Sequence, residues 1–443
     1  MGEKIISTSV NIVKRTNFRF VALLMILIVM TLSTADRASI SIAGIGMQKQ
    51  LHLSKTSMGI IMSAFSWAYA FGQIPAGAIG DKIGSKKSIL IGVVFWSVAT
   101  LIMGISSWIY ISFLMLVILE ILLGIFETPV GPSSGRILAS WFPGSERGIA
   151  GSIFNTGQYV SLVIFTPLTG FLAYRFGWQW VYIAMGAIGL IVAVAWKAFF
   201  YVPSKHPKAN ADEIEYIRAG GGLVDLDSNL KTANKEKFNF KDIGKLFKSR
   251  MLVGIFLSQY CINTITYFYL TWFPTYLVQQ RGFSILHAGL VASLPAICGC
   301  FGGLSSGFIS DFILKRTNNL SIARKIPITM GLLLSSSIIL CNYVSTNVLV
   351  IMLMSLAFFG KGFGSLGWTV IGDAAPKKIL GVTGGVFNGL GNLAGIVTPI
   401  VIGIIIDRTA SFNGALVYVG AHAIIAVLSY WLIVGKIERL EIE

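Results

Sequence analysis

Long apolar runs separated by short polar stretches repeat along the whole chain. They lie near residues 18–47, 56–79, 88–106, 108–140, 147–174 and 177–201, then near 250–280, 284–313, 324–344, 347–374, 379–407 and 411–436. About 20 helical residues cross the hydrocarbon core of a bilayer, so the pattern predicts twelve spanning helices. The intervening stretch, 202–249, is rich in Lys, Asp, Asn and Gly. Inside it, residues 211–218 (A-D-E-I-E-Y-I-R) predict a short amphipathic surface helix that Gly220, Gly221 and Gly222 end. The glycine triplet lacks the lysine-serine signature and preceding strand of a nucleotide-binding loop. The expected organisation is an N-terminal six-helix bundle (1–201), a linker (202–249) and a C-terminal six-helix bundle (250–443).

The two sets of helices echo one another. G-A-I-G-D-K-I-G-S-K-K at 77–87 is matched by G-F-I-S-D-F-I-L-K-R at 307–316, which sets Asp81 and Asp311 at corresponding points. G-S-I-F-N at 151–155 followed by Thr166-Pro167 returns as G-G-V-F-N at 384–388 followed by Thr398-Pro399. Two independent echoes at nearly one offset argue for a duplicated six-helix unit. In proteins so built, a solute sits near the bilayer midplane between halves that rock around it.

Composition narrows the class further. Hydrophobic residues make up 54% of the 443 and charged ones 12%, about half the charged share of an ordinary soluble domain. The net charge is +16, yet its placement argues against nucleic acid as a partner. Of 35 Lys and Arg, only Lys49, Lys55, Arg175, Arg281 and Arg408 fall on one side, and two more lie within spans. The rest sit in the termini and alternate connections, which marks that side as cytoplasmic and puts both termini there. The expected location is a bacterial inner membrane. Cys261, Cys298, Cys300 and Cys341 all lie in apolar runs and read as packing residues, with no metal site. Four histidines and four cysteines without a ligand or nucleophile motif exclude an enzyme reading.

Five charges fall inside the apolar runs: Asp36, Arg37, Glu120, Glu127 and Lys361. A charge at the bilayer centre costs about 2.5–3.5 kcal/mol even on the lenient insertion scale, so such residues face a partner or a wet cavity. Adjacent helical residues point about 100° apart. Arg37 can thus face a cavity, offering a planar fork to a carboxylate, while Asp36 reaches a neighbouring helix. Desolvation makes Asp36 a candidate for proton uptake. A buried structural salt bridge is the competing account of this pair. Glu120 and Glu127 are seven residues apart, two turns along one helix face and about 10 Å on the axis, with Gly124 and Gly131 keeping that face open.

The glycine- and lysine-rich motif at 77–87, weakened at 307–316, resembles the signature of the major facilitator superfamily. Further likeness lies in T-A-D-R-A-S-I-S-I-A-G (34–44), A-F-S-W-A-Y-A-F-G-Q-I-P (64–75), G-I-F-E-T-P (124–129) and W-F-P-G-S-E-R-G (141–148). Q-Y-C-I-N-T-I-T-Y-F (259–268), T-W-F-P (271–274) and A-F-F-G-K-G-F-G-S-L-G-W (357–368) extend it. These resemble the anion:cation symporter branch, most closely the bacterial glucarate/galactarate and galactonate proton symporters. The resemblance implies the major facilitator fold and a proton-coupled importer of a small organic anion, with protons as the coupling ion and no other cofactor. It implies Asp36 and Glu127 as proton carriers and Arg37 as the carboxylate anchor. Tyr69, Gln158, Lys361, Trp368 and Asn388 would complete the substrate site, with Asp81 and Asp311 as conformational latches. Glu120 departs from the branch, which has an arginine there close to the substrate. That departure leaves open another monocarboxylate, a non-anionic solute, or a sensor that binds without transport. The partners expected are the solute and the lipid bilayer, with the protein acting as a monomer.

Overall fold

Hydrocarbon offers a peptide group no hydrogen-bond partner, so a chain this apolar must close its backbone bonds inside helices. The computed structural model describes residues 15–109, 111–227, 244, 246–376 and 379–441, excluding the side chains of residues 74, 77, 78, 81 and 381. No strand occurs among the described residues. The first long helices are α1 (Phe18–Leu51), α2 (Lys55–Ile83), α3 (Ser85–Ser106), α4 (Phe113–Trp141), α5 (Gly144–Phe176) and α6 (Trp178–Phe199). A surface helix, α7 (Ala211–Ala219), comes next, capped by the Asn210 side chain as the amphipathic pattern predicts. Then follow α8 (Arg250–Thr271), the short α9 (Phe273–Gln279), α10 (Ile285–Thr317), α11 (Leu320–Tyr343), α12 (Asn347–Ala374), α13 (Leu380–Thr409) and α14 (Asn413–Ile433).

Among the described residues, eleven of these helices are long and apolar enough to cross a bilayer. The remaining long helix, α2, has 29 residues but carries Ser63, Ser66, Tyr69 and Gln73 in its middle. The run at 250–280 breaks after Thr271, because Pro274 sits in the first turn of α9, the position a helix best tolerates it. Single glycines with left-handed backbone, Gly84 (φ 82°) and Gly177 (φ 99°), join α2 to α3 and α5 to α6. No other residue turns the chain so sharply without steric cost.

Helices α1–α6 pack mainly on one another, as do α8–α14. The two sets meet through α2 with α13, α5 with α10, and α1 with α8 and α9. At the end remote from the linker these contacts are backbone to backbone. Gly59 of α2 leaves no room for a Cβ against the Pro399 carbonyl, and a Cβ on Gly403 of α13 would stand 2.5 Å from the Lys55 carbonyl oxygen. Gly170 of α5 lies likewise on Gly289 of α10. Toward the linker end, Gly131, Gly135, Gly148, Gly151, Gly385 and Gly389 have no described residue within 4 Å of where a Cβ would be.

The early part of the 202–249 stretch is more than a polar tether. Glu213 of α7, 0% exposed, accepts hydrogen bonds from the Phe18 and Arg19 backbone N–H (both 3.0 Å) and from the Thr16 hydroxyl (2.6 Å). It thereby satisfies the orphan donors at the start of α1. Arg19 adds an ion pair to Glu146 at 2.9 Å, and Tyr216 donates to the same carboxylate at 2.7 Å. Asp227 accepts from the Ser85 N–H at the start of α3 (2.9 Å) and pairs with Arg136 of α4 at 2.7 Å. Residues 211–227 thus tie together the linker-side ends of α1, α3, α4 and α5.

Replacing Glu213 with Ala leaves those donors buried and unmet, at a cost of about 3 kcal/mol. Thermal unfolding in detergent should register a drop of several degrees, with Glu213→Gln losing less. An unchanged midpoint for Glu213→Ala would show that the segment merely rests on the helices.

Candidate functional site

The charged residues of the first set gather around α1 and α4. Arg37, 15% exposed at its side chain, points from α1 toward α4, with its Nε 3.6 Å from Glu127 Oε2. Ser33, one turn back on α1, donates its hydroxyl to the same Glu127 oxygen (2.7 Å) and accepts from Arg37 Nη2 (3.2 Å). Thr34 accepts from Nη2 at 3.4 Å, and the Ser33 carbonyl from Nε at 3.3 Å. The Phe65 and Tyr69 rings of α2 each stand 5.5 Å from the guanidinium and stack on each other at 5.4 Å. The Arg37 Nη1 makes no hydrogen bond to the described residues, and its ion pair is single and long.

Asp36 turns the other way, as the 100° step predicts, and lies beside Trp96 of α3. It is 7% exposed, with the Trp96 indole N–H as the donor set toward it and no base paired with it among the described residues. The sequence leaves Asp36 and Arg37 open to reading as a salt-bridged pair. The structure gives Arg37 to Glu127 instead, because the adjacent acid sits on the wrong side of the helix. Glu127 is wholly buried, and its second oxygen is without a hydrogen-bond partner among the described residues. Gly124 does not keep the α4 face open as expected: the Phe65 carbonyl of α2 occupies the space a Cβ would need. Of the pair, Gly131 is the one with no described residue in the space a Cβ would take.

Glu120, 5% exposed, lines a small cavity together with Arg37, Phe65, Ser66, Tyr267 and Thr271. Tyr267 and Thr271 come from α8, so both sets of helices contribute to this wall. Sequence reasoning passed over Tyr267, although Gln259, Asn263 and Tyr267 recur every four residues on one polar face of α8. Tyr267 donates to Asn392 Oδ1 of α13 at 3.0 Å, and Asn392 donates to the Asn388 carbonyl (2.9 Å) and side-chain oxygen (3.2 Å). Asn388 therefore joins the Arg37 cavity through a chain of two side chains.

The other predicted residues lie further out. Lys361 of α12 is half-buried, its ammonium 5.1 Å from the Phe358 ring and 5.4 Å from the Tyr159 ring of α5. It forms no ion pair with the three buried acids. Gln158, beside Tyr159, is half-buried. Trp368 is 49% exposed, set edge-on to Phe387 at 5.0 Å. At the linker end, Asp311 lies 3.7 Å from Arg324 Nη1. The closer partners of that arginine are Asp373 (2.9 Å) and Ser310 (2.7 Å), neither of which the echo of motifs singles out. Asp81 lies in α2, and its side chain is outside the described residues.

Residues 26–399 match the Major Facilitator Superfamily. The chain belongs to that superfamily. It is a multi-pass membrane transporter of the superfamily, not an enzyme. It is 49% identical over 429 residues to a probable galactarate/D-glucarate transporter, GudP, of Bacillus subtilis, covering 96% of this chain and 94% of that one. It is 48% identical to a probable galactarate/D-glucarate transporter, GarP, of Escherichia coli (97% and 98% covered) and 38% identical to a D-galactonate transporter of Escherichia coli (97% and 99%). In shape it is similar to a bacterial homologue of the human lysosomal transporter Spinster in an inward-facing, unoccupied conformation, with TM-score 0.75, 18% identity, and 95% and 98% covered. The inward-open xylose transporter XylE of Escherichia coli gives TM-score 0.71 at 14% identity, with 94% and 97% covered.

Within this major facilitator site the two glutamates of α4 have unequal structural duties. Glu127→Ala strands a buried guanidinium, at a cost of about 3 kcal/mol, whereas Glu120→Ala removes an acid that neutralises no base. Thermal unfolding in detergent should therefore fall clearly for Glu127→Ala and little for Glu120→Ala. Equal losses would mean that Arg37 is shared between them.

Proposed function

We propose that this transporter imports a sugar acid, galactarate, D-glucarate or D-galactonate, together with protons. Residues 1–201 and 250–443 act as two bundles that rock about a central site, joined by a cytoplasmic linker at 202–249. The observation that carries this reading is Arg37: a guanidinium in the membrane interior, held by one long ion pair and lining a cavity walled by both sets of helices. A carboxylate entering there replaces Glu127 as its partner, and Arg offers the bidentate geometry for it. Glu127, losing its counter-charge in a buried position, then requires a proton. Substrate and proton binding are linked by that exchange. Asp36, buried beside Trp96 with no base paired to it among the described residues, is the second proton carrier.

The 48–49% identity to transporters named for galactarate and D-glucarate supports the solute class. Tyr69, Gln158, Lys361, Trp368 and Asn388 supply the neutral donors, stacking face and second positive charge that a polyhydroxy acid needs. Asp81 and Asp311 act as latches on the linker side. The Lys and Arg asymmetry supports a bacterial inner membrane with both termini cytoplasmic. The protein works as a monomer.

Glu120 favours a second reading: its charge beside Arg37 suits a monocarboxylate better than a dianion. Uptake of labelled solute into proteoliposomes under an inward proton gradient tests the first reading directly. Asp36→Asn and Glu127→Gln should abolish accumulation, with counterflow exchange surviving. Gradient-driven accumulation by both variants would remove these acids from coupling.

Charge reversal at Glu120 separates the two solutes. Glu120→Arg beside a bound carboxylate should raise galactarate or D-glucarate affinity by about tenfold or more, read as the ligand-induced rise in unfolding temperature. No change would place Glu120 outside contact with the solute.

A further inference from the structure

The first N–H groups of α2 point at a carboxylate that belongs to the other set of helices. Asp407, in the last turn of α13, accepts from the Lys55 N–H with Oδ1 (2.9 Å) and from the Thr56 N–H with Oδ2 (2.7 Å). The start of α2 already has a local cap, since Ser54 accepts from the Ser57 N–H at 3.0 Å. Asp407 meets the two donors that Ser54 leaves free, where the helix dipole favours negative charge. Around it the two sets are joined again. The Lys55 ammonium binds Gln48 of α1 at 2.5 Å and also Gln279 of α9, and Gln279 donates to Gln48 at 3.2 Å. Beneath lie the glycine contacts of Gly59 and Gly403, which bring the α2 and α13 backbones together.

We propose that Asp407 is a gating residue of the transport cycle: its capping of α2 across the two sets holds the end remote from the linker closed. This rests on the rocking of the two sets proposed above, because opening that end must pull Asp407 away from Lys55 and Thr56. Once parted, the carboxylate and the α2 donors are hydrated separately, so the closed state is favoured by the difference alone. That difference has the size of one helix cap. Its modest value suits a gate that must open in every cycle, and Asp407 is itself exposed to solvent.

The test measures opening without any solute, so a mistaken solute or coupling ion leaves its outcome untouched. Spin labels at Lys49→Cys and Arg408→Cys, with the native cysteines replaced by alanine, report the distance across this end in nanodiscs. Asp407→Ala should raise the ratio of long to short distances about fivefold, the effect of one lost cap. Lys55→Pro should do the same, since it deletes one donor at a first-turn position that tolerates proline. The residue before it, Ser54, is already extended (ψ 163°), as proline requires of its predecessor. Lys55→Ala, which keeps the N–H, should open the end less than Lys55→Pro. An unchanged distance distribution in Asp407→Ala and Lys55→Pro overturns the proposal, even if both lower the unfolding temperature.

Discussion

A guanidinium in the membrane interior has to be answered by the protein itself, and the arrangement of α1, α2 and α4 follows from how Arg37 is answered. Glu127 must lie on the face of α4 that meets α1, and Ser33 must stand one turn from Arg37 to bridge the two. The rings of α2 must close over the guanidinium without displacing its acid. Gly124 makes this possible by letting the α2 backbone rest where another residue would hold it away. The same pairing that makes the site stable leaves it chemically unfinished. Among the described residues one buried glutamate oxygen has no hydrogen-bond partner and Asp36 has no base paired with it, and buried polar groups in that condition mark a place where something binds.

The two ends of the molecule solve a different problem, the unmet N–H groups at helix starts. Near the linker these donors are met by acids of the linker itself, Glu213 for α1 and Asp227 for α3, which bind the first set. At the far end the start of α2 is met partly by Asp407 of the other set. Caps within one set make a rigid unit, whereas a cap between sets is an interaction that relative motion must break. The chemistry is identical, and only the ownership of the acid differs.

Much of this was legible in the chain. Apolar run lengths placed the long helices to within a few residues, and the A-D-E-I-E-Y-I-R pattern located α7. The 100° step correctly sent Asp36 and Arg37 to different neighbours. What remained hidden were choices between helices. Nothing local tells Arg37 to prefer Glu127 over Asp36 or Glu120, since that depends on how closely α4 approaches α1. Asp373 and Asp407 sit at helix ends, where an acid usually reads as solvated; only packing shows Asp373 beside Arg324 and Asp407 at the start of α2. Tyr267 lay in a quoted motif, and the four-residue spacing from Gln259 was the available signal. The polarity of α2 was visible too, but its meaning required seeing which helix covers it.

That polarity bears on how the protein is made. A segment enters the bilayer more readily the further its apolar residues outweigh its polar ones, and Ser63, Ser66, Tyr69 and Gln73 narrow that margin in α2. The single-residue turn at Gly84 binds it to α3, which is amply apolar, so the two are placed to enter as a hairpin. The helix that finally packs along α2 is α13, made some 300 residues later. Through most of synthesis, then, the polar flank of α2 is sheltered only by its earlier neighbours, and the chain reaches its finished form by closing its last helices onto one of its first.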